Sequence, residues 1–216
     1  MNRRERALFL REERPHAAEV LNLYLALLDV WDTGATPEAV LAAVEQAGPE
    51  TLAKALRDMD LEAVLRKEDD LAPAELFLIR ACRVPVRGTP SDARHCPECG
   101  GLPQLSIRAL GDDPLTRGQR QLMCASCETR WNFSASSCPS CGEMSGSQRT
   151  YYSDADDPAA ALRVEACASC KKYLIDIDLA RDPRAVPEVD ELTALPLDLF
   201  ASEQGLSKIT PNLMGF

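Results

Sequence analysis

The sequence predicts an α+β protein: a domain of short helices over residues 1–90, two tandem four-cysteine modules over 91–134 and 135–180, and a C-terminal helical segment over 181–216. Three observations carry this. Apolar residues recur at three- and four-residue spacing through the first ninety positions, the period of a helix with one buried face. From residue 96 the pattern changes to short alternating or β-rich runs separated by Gly, Pro, Asp and Ser, the mark of small sheets. Eight of the nine cysteines form four Cys-x-x-Cys pairs between residues 96 and 170, a spacing that points both thiols of a tight turn at one ion.

The elements follow in order. Met1 to Arg6 is charged and precedes only four apolar residues, Ala7 to Leu10, too short a run for the core of a signal peptide. Between Pro15 and Gly34, the residues Val20, Leu21, Tyr24, Leu27, Leu28 and Trp31 form one helical stripe. Thr36-Pro37-Glu38 is a helix start, since the threonine hydroxyl caps and a proline in the first turn lacks only a donor that would go unused. Val40, Leu41 and Val44 line that helix, and Gly48 ends it. Leu52, Leu56 and Met59 mark another, Asp60 caps a turn carrying Leu61, Val64 and Leu65, and Pro73 starts a last helix that stops before Pro85. Such stripes pack on their neighbours, and a core this small leaves room for docking on the second domain or a second chain. A polar linker from Arg87 to Arg94 follows. Strand candidates are Leu105–Ala109, Gln119–Met123, Trp131–Phe133, Tyr151-Tyr152, Leu162–Val164 and Tyr173–Ile177. After Asp182-Pro183, Val189, Leu192, Leu195, Leu199 and Phe200 give a helical pattern, in which Pro196 forces a kink or a new start and Gly205 an end.

The cysteine pairs show an internal duplication. The first and third read Cys96-Pro-Glu-Cys99-Gly100 and Cys138-Pro-Ser-Cys141-Gly142; the second and fourth read Cys124-Ala-Ser-Cys127 and Cys167-Ala-Ser-Cys170. Loops of 24 and 25 residues separate the pairs within each half, so the period is 42 or 43 residues. The simplest reading is two tetrahedral sites in tandem, Cys96/Cys99/Cys124/Cys127 and Cys138/Cys141/Cys167/Cys170. A cross-braced grouping of first with third and second with fourth competes, because ten residues between Cys127 and Cys138 permit it, but the matched halves favour tandem sites. Modules of this kind are rubredoxin-like or zinc-ribbon-like. Four thiolates leave no open coordination position, which argues against hydrolytic metal catalysis, and no nucleophile, base and orienter set or phosphate-cradling glycine loop accompanies them. The expectation is two metal ions per chain and no enzyme. Spacing alone does not choose between iron and zinc. Trp131 and Tyr173 follow the second and fourth pairs, where they either shield a metal or pack in a sheet core.

Charge argues against one common use of four-cysteine modules. Residues 1–90, 91–175 and 176–216 carry nets of −4, −1 and −5, and no stretch is basic. A zinc-ribbon nucleic-acid binder needs a concentrated positive patch to replace counterions along the phosphates. Two divalent ions each held by four thiolates would make the middle stretch more negative still. No apolar run approaches the roughly 18 residues of a membrane span, so the expected setting is cytoplasmic, where a high cysteine count means metal or thiol chemistry and not disulfides. The remaining candidates have plain readings. Cys82 reads as a small buried apolar residue, His95 as surplus beside two full tetrahedra, and His16 as lying near a helix start. Asp154, Asp156 and Asp157 before Pro158 read as a solvated loop, since the ligand positions of a calcium loop are absent.

The order CPxCG, CxxC with Thr129 and Trp131, CPxCG, CxxC with Tyr173-Leu174, then Val189–Leu199, Glu203-Gln204-Gly205 and Pro211-Asn212, resembles the formate dehydrogenase accessory protein family, FdhE, from residue 96 to the C-terminus. The resemblance implies two rubredoxin-like sites with all-cysteine ligands, iron in preference to zinc, and a cytoplasmic maturation factor that contacts the catalytic subunit of respiratory formate dehydrogenase before export. A rubredoxin-like electron carrier is the alternative, and a zinc-ribbon nucleic-acid binder the second. The oligomeric state stays open, with a homodimer among the options.

Overall fold

The structure, a computed structural model, describes residues 1–67, 70–84, 88–109, 119–154 and 160–215. Pro85, Arg87, Asp156, Asp157 and Pro158 of the sequence reading lie outside the described residues. The chain divides into two compact units, Asn2–Pro85 with Leu213–Gly215, and Val86–Asn212.

The first unit holds α1 (Arg3–Glu13), a 3-10 turn (Pro15–Ala17), α2 (Ala18–Thr33), α3 (Pro37–Ala47), α4 (Glu50–Arg57), α5 (Leu61–Val64) and α6 (Pro73–Ala81). Helix α1 is absent from the apolar-period reading, because its buried face is only Arg6, Ala7 and Leu10. Its signal is a capping box: the Asn2 side chain accepts the Glu5 N–H at 2.9 Å, and the Glu5 carboxylate accepts the Asn2 N–H at 3.0 Å. The expected caps Thr36 and Asp60 accept from the N–H groups of Ala39 and Ala63 at 3.2 and 3.0 Å. The stripes converge on one core containing Leu23, Leu27, Val40, Val44, Leu56, Phe77 and Leu78, with Leu213 and Met214 packed against it. Trp31 Nε1 donates to the Ala81 carbonyl at 2.8 Å, tying α2 to the end of α6. Cys82 is half-buried at that end, and burial pushes its thiol up to about 11, the behaviour of a packed and inert residue.

The second unit is built on one sheet containing β1 (Pro103–Arg108), β2 (Arg120–Cys124), β3 (Arg130–Asn132), β4 (Arg149–Tyr152), β5 (Leu162–Cys167), β6 (Lys172–Asp178) and β7 (Ser207–Lys208). The order is β3-β2-β1-β6-β5-β4, with β7 parallel to β6. Each half repeats a knuckle, two strands, a knuckle and a third strand, paired antiparallel throughout. The halves join through a parallel pairing of β1 with β6, Leu105 opposite Ile175 and Ile107 opposite Ile177. The two modules therefore share a sheet.

Alternation gives this sheet two unlike faces. One carries Leu105, Ile107, Met123, Val164, Tyr173, Ile175 and Ile177, and it is covered by Ala194, Leu197 and Ala201. These come from the C-terminal elements α7 (Pro187–Asp190), a 3-10 turn (Glu191–Thr193) and α8 (Leu195–Glu203). Pro196 sits in the first turn of α8, and Gly205 just beyond its end has φ +72°, the left-handed conformation that glycine adopts without penalty. The acidic residues of this segment are not a solvated face. Asp190, Glu191 and Asp198 are buried; Lys208 Nζ lies 2.9 Å from Glu191 and 3.1 Å from Asp198, and the Tyr173 hydroxyl donates to Asp198 at 2.8 Å.

Candidate metal centres

The Sγ atoms gather as two groups, Cys96, Cys99, Cys124 and Cys127, and Cys138, Cys141, Cys167 and Cys170, all within 4.8 Å of one another inside each group. Neither group takes the cross-braced form. In the first, the Cys96–Cys127 and Cys99–Cys124 sulfurs are both 3.5 Å apart. In the second, Cys138–Cys170 and Cys141–Cys167 are 3.9 and 3.8 Å apart. A disulfide requires about 2.05 Å. Four sulfurs at about 2.3 Å from a central ion stand about 3.8 Å from each other, so both groups fit a tetrahedral thiolate-bound ion.

Local backbone chemistry sets this geometry, and all four knuckles use one scheme. The residue after the second cysteine donates its N–H to the carbonyl of the first: Gly100 to Cys96, Glu128 to Cys124, Gly142 to Cys138 and Lys171 to Cys167, at 2.9–3.2 Å. Each of these four residues has positive φ: 70°, 58°, 80° and 57°. The missing glycine of the second and fourth motifs thus hides an identical turn. A left-handed conformation costs a residue with a Cβ roughly 1–2 kcal/mol, and the closed loop imposes it on Glu128 and Lys171. Around Gly142 there is open space, so Gly142→Ala is expected to destabilise the second module by about 1 kcal/mol through backbone strain alone. Lys171→Gly is expected to be neutral or mildly stabilising. Urea titration of the two metal-loaded variants checks both.

The surroundings favour thiolates unequally. Backbone N–H groups of Ser126 and Ser140 point at the sulfurs of Cys124 and Cys138, each at 3.4 Å. A Cβ on Gly101 would come within 3.1 Å of the Cys124 sulfur and 3.3 Å of the Cys99 sulfur, so any other residue here would press on two ligands. Burial pushes the Cys99 and Cys124 thiols up against those hydrogen bonds, and it pushes Cys138 up to about 12. Burial also opposes ionisation of Cys127, but its hydrogen bonds with Thr129, 3.3 Å from its sulfur, together with those with Cys99 and Cys96 bring the thiol down to about 7. An ion entering the first site must displace at least the protons of Cys99 and Cys124. Its affinity therefore falls as pH falls, by about a hundredfold or more per unit. Competition with a chelator of known affinity at pH 6 and pH 8 measures this, and a flat profile would contradict it.

Trp131 packs against Cys96, Cys99 and Cys124 and donates Nε1–H to the Ala93 carbonyl at 2.9 Å. Tyr173 instead belongs to the sheet core, with its hydroxyl on Asp198. The two aromatics that follow equivalent motifs have therefore diverged, one to shield a site and one to pack. His95 is no part of either sulfur group; its Nδ1 lies 2.9 Å from Ser91 Oγ and 3.1 Å from Asp92. Arg94, held by Asp92, donates Nη1–H to the Ser140 carbonyl at 2.8 Å, linking the edge of the first knuckle to the third. Cys127 and Cys141 are exposed, giving each group one cysteine at the surface.

A second set of residues escaped the sequence reading. Arg120 and Glu165 are buried on the sheet face opposite the C-terminal helices, with paired hydrogen bonds of 2.8 and 2.7 Å. Arg120 also donates to Ser106 Oγ and to the carbonyls of Ser134 and Ser137, and Arg149 bonds Glu165 and the Ala135 carbonyl. The inter-module linker is thus fastened to the sheet by two arginines. Nothing in sequence spacing relates residue 120 to residues 149 and 165, because the contacts cross between strands.

Comparison with known proteins places these features in a family. Residues 95–134 match the family described as FdhE, central domain, and residues 136–214 match FdhE, C-terminal domain. The chain is 32% identical over 122 residues to a protein FdhE homolog of Aquifex aeolicus, covering 56% of this chain and 42% of that protein. It is 34% identical over 119 residues to protein FdhE of Escherichia coli K12, covering 55% and 37%. The matched segment thus spans about two fifths of the length of these curated relatives. The crystal structure of the FdhE protein from Pseudomonas aeruginosa superimposes with a TM-score of 0.69 at 23% identity, covering 98% of this chain and 94% of that one, which shows a shared fold. No helix among the described residues is long and apolar enough to cross a membrane. Two family domains matched across both cysteine modules and the C-terminal helices show that this chain belongs to the FdhE family.

Proposed function

We propose that this chain is a non-enzymatic maturation factor that binds the catalytic subunit of a respiratory formate dehydrogenase in the cytoplasm and carries two iron ions, each held by four cysteines. The observation that carries the reading is the pair of closed four-sulfur groups within a chain of the FdhE family. Cys96, Cys99, Cys124 and Cys127 hold one ion and Cys138, Cys141, Cys167 and Cys170 the other. With four thiolates around each, the ion cross-links two knuckles and has no position for substrate. The protein's contribution is then a rigid sheet with the C-terminal helices on one face and charged groups on the other. The direct test is anaerobic co-expression with the catalytic subunit, followed by affinity capture and metal analysis. The reading expects the subunit to co-purify, with two irons per chain and a ferric–thiolate absorption. Repeated failure of capture would overturn the client, and two zincs would overturn the iron.

One observation favours a rubredoxin-like electron carrier as the second reading: Cys127 and Cys141 bring a ligand of each group to the surface, a short route for an electron. That reading requires iron that cycles reversibly, and loss of metal on reduction would exclude it.

A further inference from the structure

Away from the cysteines, one face of the sheet carries four arginines, Arg108 on β1, Arg120 on β2, Arg149 on β4 and Arg163 on β5, around two buried carboxylates, Glu165 and Asp176. Asp178 lies 3.7 Å from Arg181 and 3.9 Å from Arg163. Among the described residues, Arg181 offsets Asp178, and the four cations exceed the two buried acids by two, on a chain of formal charge −10. The linker carbonyls account for Arg120 and Arg149. They do not account for Arg108 and Arg163, whose Nε groups converge on one oxygen of Asp176 at 2.9 and 2.7 Å while its other oxygen has no hydrogen-bond partner among the described residues.

Tyr151 stands among them. Its ring centroid is 4.8 Å from the guanidinium carbon of Arg163, 5.2 Å from that of Arg108 and 5.7 Å from that of Arg149. Its hydroxyl oxygen accepts from Nη2 of both Arg108 and Arg149. A phenol oxygen that accepts twice still has its own proton to give, and among the described residues no acceptor takes it. Arg108 is in the same position: Nε goes to Asp176 and Nη2 to Tyr151, and Nη1 has no acceptor among the described residues. Both side chains line a cleft of about 730 Å³ with Arg120, Arg149, Asn132 and Ser136.

We propose that this cleft binds an acidic segment of a protein partner, with a Glu or Asp carboxylate seated on Arg108 and the Tyr151 hydroxyl. A carboxylate accepts from both donors at once and takes up the excess cationic charge, while exposed Asn132 and Ser136 offer hydrogen bonds to its main chain. The cleft is several times the volume of a small inorganic anion, which favours a polypeptide over free phosphate. The rest of this acidic surface repels such a segment and so directs it here. The proposal deepens the client-binding role by naming the chemistry of the contact. It rests on that role only for the partner's identity, because peptide binding is measured without the client.

The experiment is fluorescence anisotropy of labelled hexaglutamate and hexaglutamine with the full metal-loaded chain at low salt. Hexaglutamate is expected to bind, hexaglutamine not, and binding should weaken as salt rises. Arg108→Gln and Tyr151→Phe should each weaken it by about tenfold. Tyr151→Phe keeps the ring between the arginines, so it decides the question even if Arg108→Gln loses its metal or fold. Equal binding of the two peptides, no binding of either, unchanged affinity in Tyr151→Phe, or inorganic phosphate binding where hexaglutamate does not would each overturn the proposal. Hexaglutamate binding without capture of the formate dehydrogenase subunit would leave the cleft standing and remove the client.

Discussion

Stripping the metal from this chain is expected to unfold the sheet unit and to leave the helices between Arg3 and Ala81 folded. Among the described residues, the cluster that joins the two knuckles of the first sulfur group is Cys96, Cys99 and Cys124 with Trp131 beside them. Without an ion, these buried sulfurs lose the bonds that hold two knuckles together. The same holds for the second group, where Cys138 and Cys167 are buried. A structural ion held by thiolates contributes on the order of 10–16 kcal/mol of apparent folding energy, against roughly 5–15 kcal/mol for the whole stability of a domain. The helical unit owes nothing to these ions, since its core is Leu23, Leu27, Val40, Val44, Leu56 and Leu78. Hydrogen exchange after chelation under reducing conditions, and in Cys99→Ser, should show protection lost in β1–β3 and retained in α2 and α3. Unchanged protection in the strands would show that the cysteines do not hold the sheet together.

The second large effect is expected at Arg120. Its side chain is fully buried beside Glu165 and binds Ser106 and two linker carbonyls as well. Burial pushes the Glu165 carboxyl up and the Arg120 guanidinium down, each opposed by the other's charge. Arg120→Met leaves a buried carboxylate with Arg149 as its remaining cation and sets two carbonyls free, so a loss of about 3–5 kcal/mol is expected. Replacing both partners, Arg120→Met with Glu165→Leu, should cost less than the sum of the single changes, because no charge is then stranded. Trp131 reports on this unit once Trp31 is changed to Phe, and urea titration of the metal-loaded variants gives the comparison. Additive losses would mean that the two side chains are not coupled.

The cysteine pattern was legible because its chemistry is local. Two residues between thiols close one turn, and matched loops of 24 and 25 residues repeat it, so the tandem grouping was favoured, and the folded chain decided it against the cross-braced one. Thr36, Asp60, Pro73 and Pro196 were legible for the same reason, since a cap or a missing N–H acts within one turn of itself. Helix α1 was missed because its buried face is small and includes Arg6, whereas its capping box at Asn2 and Glu5 was in plain sight. Tyr173 and Trp131 follow equivalent motifs, yet α8 packed over the sheet gives the tyrosine Asp198 as its partner, while the tryptophan packs on the first sulfur group.

The sequence by itself determined the helical and β-rich halves and the duplicated knuckles, and favoured the tandem grouping of sulfurs that the structure shows. Tertiary structure alone decided that the two modules share a sheet through β1 and β6. It also decided that Asp190, Glu191 and Asp198 of the acidic C-terminal stretch are buried and that Lys208 pairs with two of them. The same is true of the three arginines, Arg108, Arg149 and Arg163, that meet around Tyr151. The physical reason is range: turns, caps and metal knuckles are settled by neighbours a few residues apart, whereas the burial of a charge depends on partners that only the folded sheet brings within reach.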